Sequence, residues 1–394
     1  MAFTRSSYDY KLKMRVPFVD LGIQCNSMRQ ELTSKFEKIL DTAAFVMGKE
    51  LEKFEEQFAD FCGVNYAIGV ANGTDALVLA LRAVGIRRGD MVITVPNTFI
   101  ATVEAIVHAG AEPIFVDVDP ITYSIDPTGI VHVLENSDDK RLKRIKAIIP
   151  VHLYGQPADM DPILKIAKKY NLHVVEDAAQ AHGAQYRGQR VGSFGHIGCF
   201  SFYPAKNLGA FGDAGAAVTN DDEIATTVRK LRDHGGIKKY QHDLVGYNSR
   251  LDSLQAAVLS TKLRYLDEWN ERRRKNARIY DELLSEVPHV VAPGVLEKVN
   301  HVYHLYVVRL DHSNRDGLRG YLESRGIGSG IHYPKPVHLT KAFQYLGYKE
   351  GDFPVAEQYT RKIISLPMYP QLKREQIEYV VQEIKRFFSK QCII

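Results

Sequence analysis

Cysteine is scarce in this chain. The 394 residues include four cysteines, and these lie far apart and match no zinc-binding or redox spacing. They are Cys25, Cys62, Cys199 and Cys392. Few thiols are typical of proteins in a reducing compartment. We therefore expect a cytoplasmic protein without disulfides and without a cysteine-based metal site.

Long apolar segments and an excess of charge are also missing. Residues 1–16 are polar and charged and lack the apolar stretch of a secretory signal, and no apolar run is long enough to span a bilayer. The net charge is only +4. The basic run at 272–275 lies beside Glu268 and Glu271 in a helical pattern, which favours a solvated helix face over a nucleic-acid patch. We expect neither a membrane nor a nucleic acid as partner.

Regular alternation of apolar runs and helical segments is present instead. The predicted strands lie at residues 66–70, 91–95, 113–118, 147–152, 172–175 and 199–203, and predicted helices lie at 74–83, 100–108 and 160–170. Strands that are apolar throughout and alternate with helices predict an α/β fold. Its sheet is mostly parallel and is flanked by helices on both faces.

The pattern changes near residue 254. It predicts a long helix at 254–286, a strand at 304–310, a helix at 315–325 and a last helix at 375–389. Residues 326–338 form a loop rich in Gly, His, Tyr and Pro. A chain of this length exceeds the size of one hydrophobic core. We predict a large α/β domain at 1–253 and a smaller α+β lobe at 254–394.

The segment after the strand at 199–203 carries one lysine, Lys206, in a glycine-containing loop. In parallel sheets, ligands bind where strands end at their carboxyl side. A lysine held there is a candidate for amine chemistry, because burial shifts the charge state of its amine. An exposed loop lysine without function is the alternative.

Other candidate residues also follow predicted strands. Gly73 and Thr74 open a helix and could hold a phosphate, although an ordinary helix cap explains them almost as well. Asp177 ends a buried strand and could keep a pyridine nitrogen protonated, or could be a structural acid in a salt bridge. Phe99 could stack on a flat ring or belong to the core, and Ser201 is a further phosphate donor. Together with a Schiff-base lysine, these features match pyridoxal 5′-phosphate.

Seven motifs make the chain resemble a known family, the DegT/DnrJ/EryC1/StrS nucleotide-sugar aminotransferases. The motifs are Gly48-Lys-Glu-Leu-Glu52, Asn72-Gly-Thr-Asp75, Pro150-Val-His-Leu-Tyr-Gly155, Val175-Glu-Asp-Ala-Ala-Gln-Ala-His-Gly183, Ser201-Phe-Tyr-Pro-Ala-Lys-Asn207, Gly212-Asp-Ala-Gly-Ala216 and Gly246-Tyr-Asn-Ser-Arg-Leu-Asp252. The resemblance runs from residue 17 to the last helix. It implies the aspartate-aminotransferase-like (type I) fold and pyridoxal 5′-phosphate as cofactor.

The resemblance also implies roles for individual residues. Lys206 would form the Schiff base and Asp177 would contact the pyridine nitrogen, while Gln180 would bond to the phenolic oxygen of the cofactor. Phosphate binding would fall to Gly73, Thr74 and Ser201, and ring stacking to Phe99. Asn248 would reach the phosphate bound by the other subunit of a homodimer. Substrate contacts would come from His332, Tyr333 and His338, unless their loop is a proline-ordered connection without substrate contact. Arg250 is a candidate for an incoming carboxylate, for an ion pair with Asp252 or for a dimer contact.

The implied reaction is transamination from L-glutamate to a nucleotide-linked keto sugar. The motifs are most similar to the branch that acts on dTDP-3-keto-6-deoxyhexoses and yields 3-amino-3,6-dideoxy sugars. A C4 aminotransferase acting on a UDP- or GDP-linked 4-keto sugar is the main alternative. A dehydratase branch has histidine in place of the lysine, and this chain keeps Lys206. A regulator carrying a helix-turn-helix domain, or an amino-acid aminotransferase or decarboxylase, is a weaker alternative.

Overall fold

The structure, a computed structural model, describes residues 14–311 and 314–391. Its strands are, in chain order, β1 (Tyr66–Val70), β2 (Met91–Thr94), β3 (Glu112–Phe115), β4 (Ile145–Ile148), β5 (His173–Asp177), β6 (Gln185–Tyr186), β7 (Gln189–Arg190), β8 (Ile197–Ser201), β9 (Gly215–Thr219), β10 (Val290–Val291), β11 (Val299–Asn300), β12 (Tyr306–Leu310) and β13 (Ile363–Leu366).

Helices cover the sheets and fill the C-terminal part of the described chain. They are α1 (Leu21–Thr42), α2 (Lys49–Cys62), α3 (Gly73–Ala83), α4 (Ala101–His108), α5 (Pro127–Glu135), α6 (Asp139–Arg144), α7 (Met160–Tyr170), α8 (Asp222–Arg232), α9 (Ser253–Leu263), α10 (Leu266–Leu284), α11 (Arg315–Ser324), α12 (Pro354–Lys362) and α13 (Arg374–Gln391).

The central sheet has seven strands in the order β1-β9-β8-β5-β4-β2-β3. Its neighbours from β8 to β3 are parallel, whereas β9 runs antiparallel to both β8 and β1. The predicted mostly parallel sheet is therefore confirmed. Parallel pairing brings the carboxyl ends of β2, β5 and β8 to one edge, so the residues that follow these strands lie close together.

Helix α3 shows how deeply this sheet is enclosed. Residues 76–81 are buried on every side of the helix, which is the behaviour of a helix inside a large core. Its first turn therefore stands on a rigid base. This matters for the site, because that turn was a candidate phosphate binder.

A second, antiparallel sheet of three strands, β10-β12-β13, packs with α10, α11 and α13 around its own apolar cluster. The N-terminal segment also reaches this part, since Val16 is in that cluster and pairs with Ile327. The boundary at residue 253 stays a prediction. The single helix predicted at 254–286 is divided into α9 and α10, which are separated by Arg264 and Tyr265.

The predicted solvated face at 272–275 is wrong for Arg273. This side chain is buried, and its Nη1 donates to the carbonyl oxygens of Tyr303 and Met368, at 3.0 Å each. Burial lowers the pKa of the guanidinium to about 9. Arg273 therefore ties α10 to two loops, whereas its neighbour Arg272 pairs with Glu268 on the exposed face.

None of the helices in the described ranges combines the length and apolar character needed to cross a membrane.

Candidate active site

Lys206 lies in the loop that follows β8 and is half-buried. Its backbone N–H donates to the carbonyl oxygen of Tyr203 at 2.8 Å, which closes a turn directly after the strand. Burial lowers the pKa of its amine to about 8, against the nearby charge of Asp177, which acts to raise it. About a tenth of this amine is thus neutral at pH 7, in the form that a nucleophile requires.

Asp177 ends β5 and is buried. Its Oδ2 accepts a hydrogen bond from the Thr102 hydroxyl at 2.7 Å, and its Oδ1 accepts one from the Ala179 amide at 3.2 Å. Burial raises the pKa of this carboxyl, and the Thr102 bond, the Ala179 bond and the charge of Lys206 act in the opposite direction. Two donors leave capacity on the carboxylate for a further one.

The neighbouring acid, Glu176, has no such capacity to spare. His152 accepts the Ala158 amide at Nδ1 (3.0 Å), so its Nε2 carries the proton and donates to Glu176 Oε2 at 2.9 Å. Backbone amides of residues 192–195 supply three more donors to the same carboxylate, at 2.7–2.8 Å. Glu176 therefore holds the turn before β8.

The start of α3 forms a cradle together with the end of β8. Asn72 caps the helix by accepting the Asp75 amide at 2.8 Å, and the first-turn amides of Gly73 and Thr74 have no intrahelical acceptor. A Cβ added to Gly73 would lie 2.5 Å from Cβ of Ser201. Glycine is therefore required where the helix start meets this serine.

These features fit pyridoxal 5′-phosphate. Free amides at a helix N-terminus and the hydroxyls of Thr74 and Ser201 suit a phosphate. The half-exposed ring of Phe99 (52% exposed) is free to cover a flat heterocycle. Lys206 supplies the amine, and Asp177 supplies an acid for a ring nitrogen.

Gln180 joins the large sheet to the 326–338 segment. Its Oε1 accepts the Tyr154 amide at 2.8 Å, and its Nε2 donates to the Tyr333 hydroxyl at 2.9 Å. The Tyr154 hydroxyl donates to the carbonyl oxygen of His332, and the Tyr333 ring lies 5.6 Å from that of Phe99. His332 and Tyr333 are thus brought to the edge where the other candidates lie.

The structure does not bring His338 into this group. Its ring is fully buried, with Nε2 3.0 Å from Glu357 Oε1 and an edge-on contact to Phe353 at 4.8 Å. The expected substrate contact is therefore replaced by a packing role under α12. This burial results from long-range packing that the local sequence does not show.

Arg250 and Asn248 lie on the segment between α8 and α9. Arg250 pairs with Asp233 at 2.6 Å rather than with Asp252. Asn248 is exposed and bridges to Asp233 through the backbone. Neither contact tests the roles predicted for these residues.

Two histidines close to Lys206, the buried His182 and the half-buried His304, received no role from the sequence. Burial, assisted by the charge of Lys206, lowers the pKa of His182 to about 3 and lowers that of His304 well below its usual value. Both imidazoles are therefore neutral and add no positive charge beside the lysine. His182 lies inside a quoted motif, whereas nothing local marked His304.

The ranges that the structure describes hold no cluster of three or more His, Cys, Asp or Glu side chains suited to a metal ion.

Comparison with known proteins identifies the family of this chain. Residues 26–385 match the DegT/DnrJ/EryC1/StrS aminotransferase family. The dTDP-3-amino-3,6-dideoxy-alpha-D-galactopyranose transaminase of Aneurinibacillus thermoaerophilus is 46% identical, over 94% of this chain and 99% of that protein. The UDP-N-acetyl-3-dehydro-alpha-D-glucosamine 3-aminotransferase of Acidithiobacillus ferrooxidans is 44% identical, over 94% of this chain and 97% of that protein.

A crystal structure of DesV from S. venezuelae is also similar, with a TM-score of 0.90 and 44% identity, over 95% of this chain and 98% of that one. The resemblance drawn from the motifs is therefore confirmed for the family, the fold and the cofactor. The chain belongs to the DegT/DnrJ/EryC1/StrS aminotransferase family and is a pyridoxal 5′-phosphate-dependent sugar aminotransferase.

Proposed function

We propose that this enzyme transfers the amino group of L-glutamate to C3 of a dTDP-linked 3-keto-6-deoxyhexose, in the cytoplasm. The names of both relatives above refer to an amino group or a keto group at C3, although one names a dTDP sugar and the other a UDP sugar. The observation that carries the C3 assignment is this shared position, together with the motifs around Asp177 and Lys206.

The amine of Lys206 moves the proton in this proposal. When the cofactor is bound, its protonated ring acts as the electron sink for the carbanion formed at Cα of the donor. The Lys206 Nζ accepts the proton released from that Cα and later returns one to the sugar carbon. Its lowered pKa suits both directions of transfer at neutral pH.

The remaining residues bind and orient. Asp177 holds the ring nitrogen, and Phe99 covers one face of the ring. We assign the phosphate to the cradle of Gly73, Thr74 and Ser201, since a phosphate suits free helix amides and hydroxyls. Gln180, which already donates to Tyr333, has a second amide hydrogen for the phenolic oxygen of the cofactor.

We assign the nucleotide sugar to the face lined by His332 and Tyr333. His332 is fixed by a 2.9 Å contact between its Nδ1 and the Ser365 hydroxyl and by stacking on Phe18 at 5.7 Å. Burial lowers the pKa of His332 to about 4, so its imidazole is neutral. A neutral ring offers hydrogen bonds to sugar hydroxyls rather than a charge for phosphate.

A homodimer completes the proposal. Large apolar side chains are exposed between α8 and α9, namely Ile237, Tyr240, Leu244, Val245 and Tyr247. Several large apolar side chains exposed in one segment indicate an interaction surface. Asn248, in the same segment, would contact the phosphate bound by the second subunit.

The test is a panel of nucleotide-linked sugars, with keto groups at C3 or C4 and carried on dTDP, UDP or GDP, each incubated with L-glutamate. We expect amination at C3, with the highest kcat/KM on the dTDP sugar, and one equivalent of 2-oxoglutarate per amino sugar. Amination confined to C4 would refute the assignment. A preference for UDP at C3 would correct the nucleotide alone.

A further inference from the structure

Three buried oxygens form a chain that ends on Asp177. The hydroxyls of Thr98 and Thr102 lie 2.8 Å apart, and Thr102 donates to Asp177 Oδ2 at 2.7 Å. The two threonines are 3% and 1% exposed and Asp177 is 6% exposed. Water therefore has little access to the chain, and the hydroxyls have few other partners.

The number of protons fixes the direction of this chain. A hydroxyl has one proton, and an ionised carboxylate only accepts. Because Thr102 gives its proton to Asp177, it must accept from Thr98 in the other contact. The chain thus runs from Thr98 to Thr102 to Asp177, and each bond polarises the next.

Thr98 lies in the turn that also carries Phe99, and Thr102 lies in the first turn of α4, directly after it. The turn follows β2, and the Thr102 amide donates to the Phe99 carbonyl oxygen at 3.2 Å as α4 begins. One short segment therefore sets the proposed stacking ring and the donor to the acid. A shift of this turn would move both together.

Other titratable groups, on elements packed against β5, lie close to Asp177. Lys206 favours its charged form, and the neutral His152 is a further titratable group close to it. Asp177 in turn acts on the thiol of Cys199 and the hydroxyl of Tyr333, raising the pKa of both. Burial of Asp177 opposes its ionisation more strongly than any neighbouring charge favours it. The hydrogen bond that Thr102 donates to Oδ2 offsets part of this cost.

We propose that Thr102, oriented by Thr98, is a positioning residue that keeps the Asp177 carboxylate ionised and fixed in orientation before the cofactor binds. The inference deepens the role proposed above for Asp177. It concerns the protein alone, and so it is measured in the full-length chain stripped of cofactor.

The test is a pH titration of the Asp177 carboxyl by carbon-13 NMR in apoprotein labelled at aspartate, with Asp177→Asn to assign the signal. In Thr102→Val, which keeps the side-chain shape, the acid dissociation constant of Asp177 should fall by roughly tenfold, as expected for one lost hydrogen bond to a charged group. Thr102→Ser, which keeps the donor, should titrate close to the original chain.

Two further variants separate this role from general packing. Thr98→Val should shift the titration in the same direction but less, because it removes only the second bond of the chain. Thr94→Val is the matched control, since this buried threonine donates to the Ile149 carbonyl oxygen at 3.1 Å and should leave Asp177 unchanged.

An unchanged titration in Thr102→Val, or an equal shift in Thr94→Val, would overturn the inference. If Thr102→Val does not fold, the Asp177 titration is measured in Thr98→Val instead, and an unchanged titration there would overturn the inference. The proposed contact of Asp177 with the ring nitrogen is judged separately, from the activity of Asp177→Asn in the loaded enzyme, so either proposal can fail alone.

Discussion

Strand β5 carries two adjacent carboxylates that lie on opposite faces of the sheet and differ in how many hydrogen bonds they accept. Side chains of successive strand residues point to opposite faces of a sheet, so Glu176 and Asp177 enter different surroundings. Glu176 is fully buried and accepts four hydrogen bonds from the protein. Asp177 is nearly as buried and accepts two.

The difference shows how a buried acid can be assigned a role. A carboxylate saturated by backbone donors stabilises the fold and is closed to a ligand. A carboxylate with spare capacity, beside an amine whose pKa is lowered, is costly to the fold unless a ligand binds there. We therefore propose that the Asp177 face is the chemical one and that the Glu176 face is the structural one.

Removing the amine should give the largest effect on the chemical face. We expect Lys206→Ala to lower the rate of transamination by roughly 10⁴-fold or more, at the upper end of the range for a lost general acid–base group, while cofactor binding is largely kept. Single-turnover kinetics with L-glutamate measure this. An undiminished rate would show that another group moves the proton.

The matched control is Lys262→Met. Lys262 is more deeply buried than Lys206, but its pKa is likewise lowered to about 8, and its Nζ donates to the Gly209 carbonyl oxygen at 2.6 Å. Because its amine contacts the loop backbone and the Phe211 ring, we expect the variant to retain most turnover. Equal losses in both lysine variants would mean that loop packing, and not the Lys206 amine, sets the rate.

The acid variants test the comparison directly. Asp177→Asn should lower the rate of the glutamate half-reaction by about 10²–10³-fold, as for other preorganised electrostatic groups, with little loss of thermal stability. Stopped-flow absorbance and a melting curve on the same sample measure the two quantities. A stable, fully active Asp177→Asn would remove Asp177 from the mechanism.

Glu176→Gln should show the reverse pattern. The glutamine side chain has no charge for His152 and the three backbone amides to contact. Its NH₂ group, itself a donor, would also face some of these donors. We expect a loss of about 3 kcal/mol in the free energy of unfolding, measured by urea denaturation. The half-reaction rate at low temperature should fall less than in Asp177→Asn. If Glu176→Gln lowered the half-reaction rate as much as Asp177→Asn does and left the free energy of unfolding unchanged, the distinction between the two faces would be lost.

Much of the chemical face was predictable from the sequence because its residues follow strands directly. The runs before Lys206 and Asp177, and the cap at Asn72, are local patterns, and parallel pairing then brings them together. The closure of His338 under α12, the pairing of Arg250 with Asp233 and the burial of Arg273 depend on segments far away in sequence. No local pattern indicates such contacts.

Glu176 illustrates the limit most sharply. The sequence presents two acids in a row and makes Asp177 the candidate for the ring nitrogen, but it does not show how Glu176 is satisfied. The turn at 192–195 that saturates Glu176 folds back from the next part of the chain, and His152 comes from the loop after β4. Only the assembled sheet shows which acid is free.

A pH dependence is the smallest of the expected effects. Because burial lowers the pKa of Lys206 from its ordinary 10.5 to about 8, the rate at which the apoprotein combines with pyridoxal 5′-phosphate should rise with pH and level off above about 8. The unfolded chain binds this proton more tightly, so the same titration raises stability between pH 8 and 10.5. A rate that still rises in proportion up to pH 10 would indicate an unperturbed lysine.

The central claim is that Lys206 and Asp177 together run the first half-reaction with glutamate. The most direct measurement is the visible absorption spectrum of the purified enzyme loaded with pyridoxal 5′-phosphate, before and after addition of L-glutamate. The account predicts a yellow band that L-glutamate bleaches, with release of one equivalent of 2-oxoglutarate per site. A loaded enzyme whose spectrum L-glutamate leaves unchanged would contradict it.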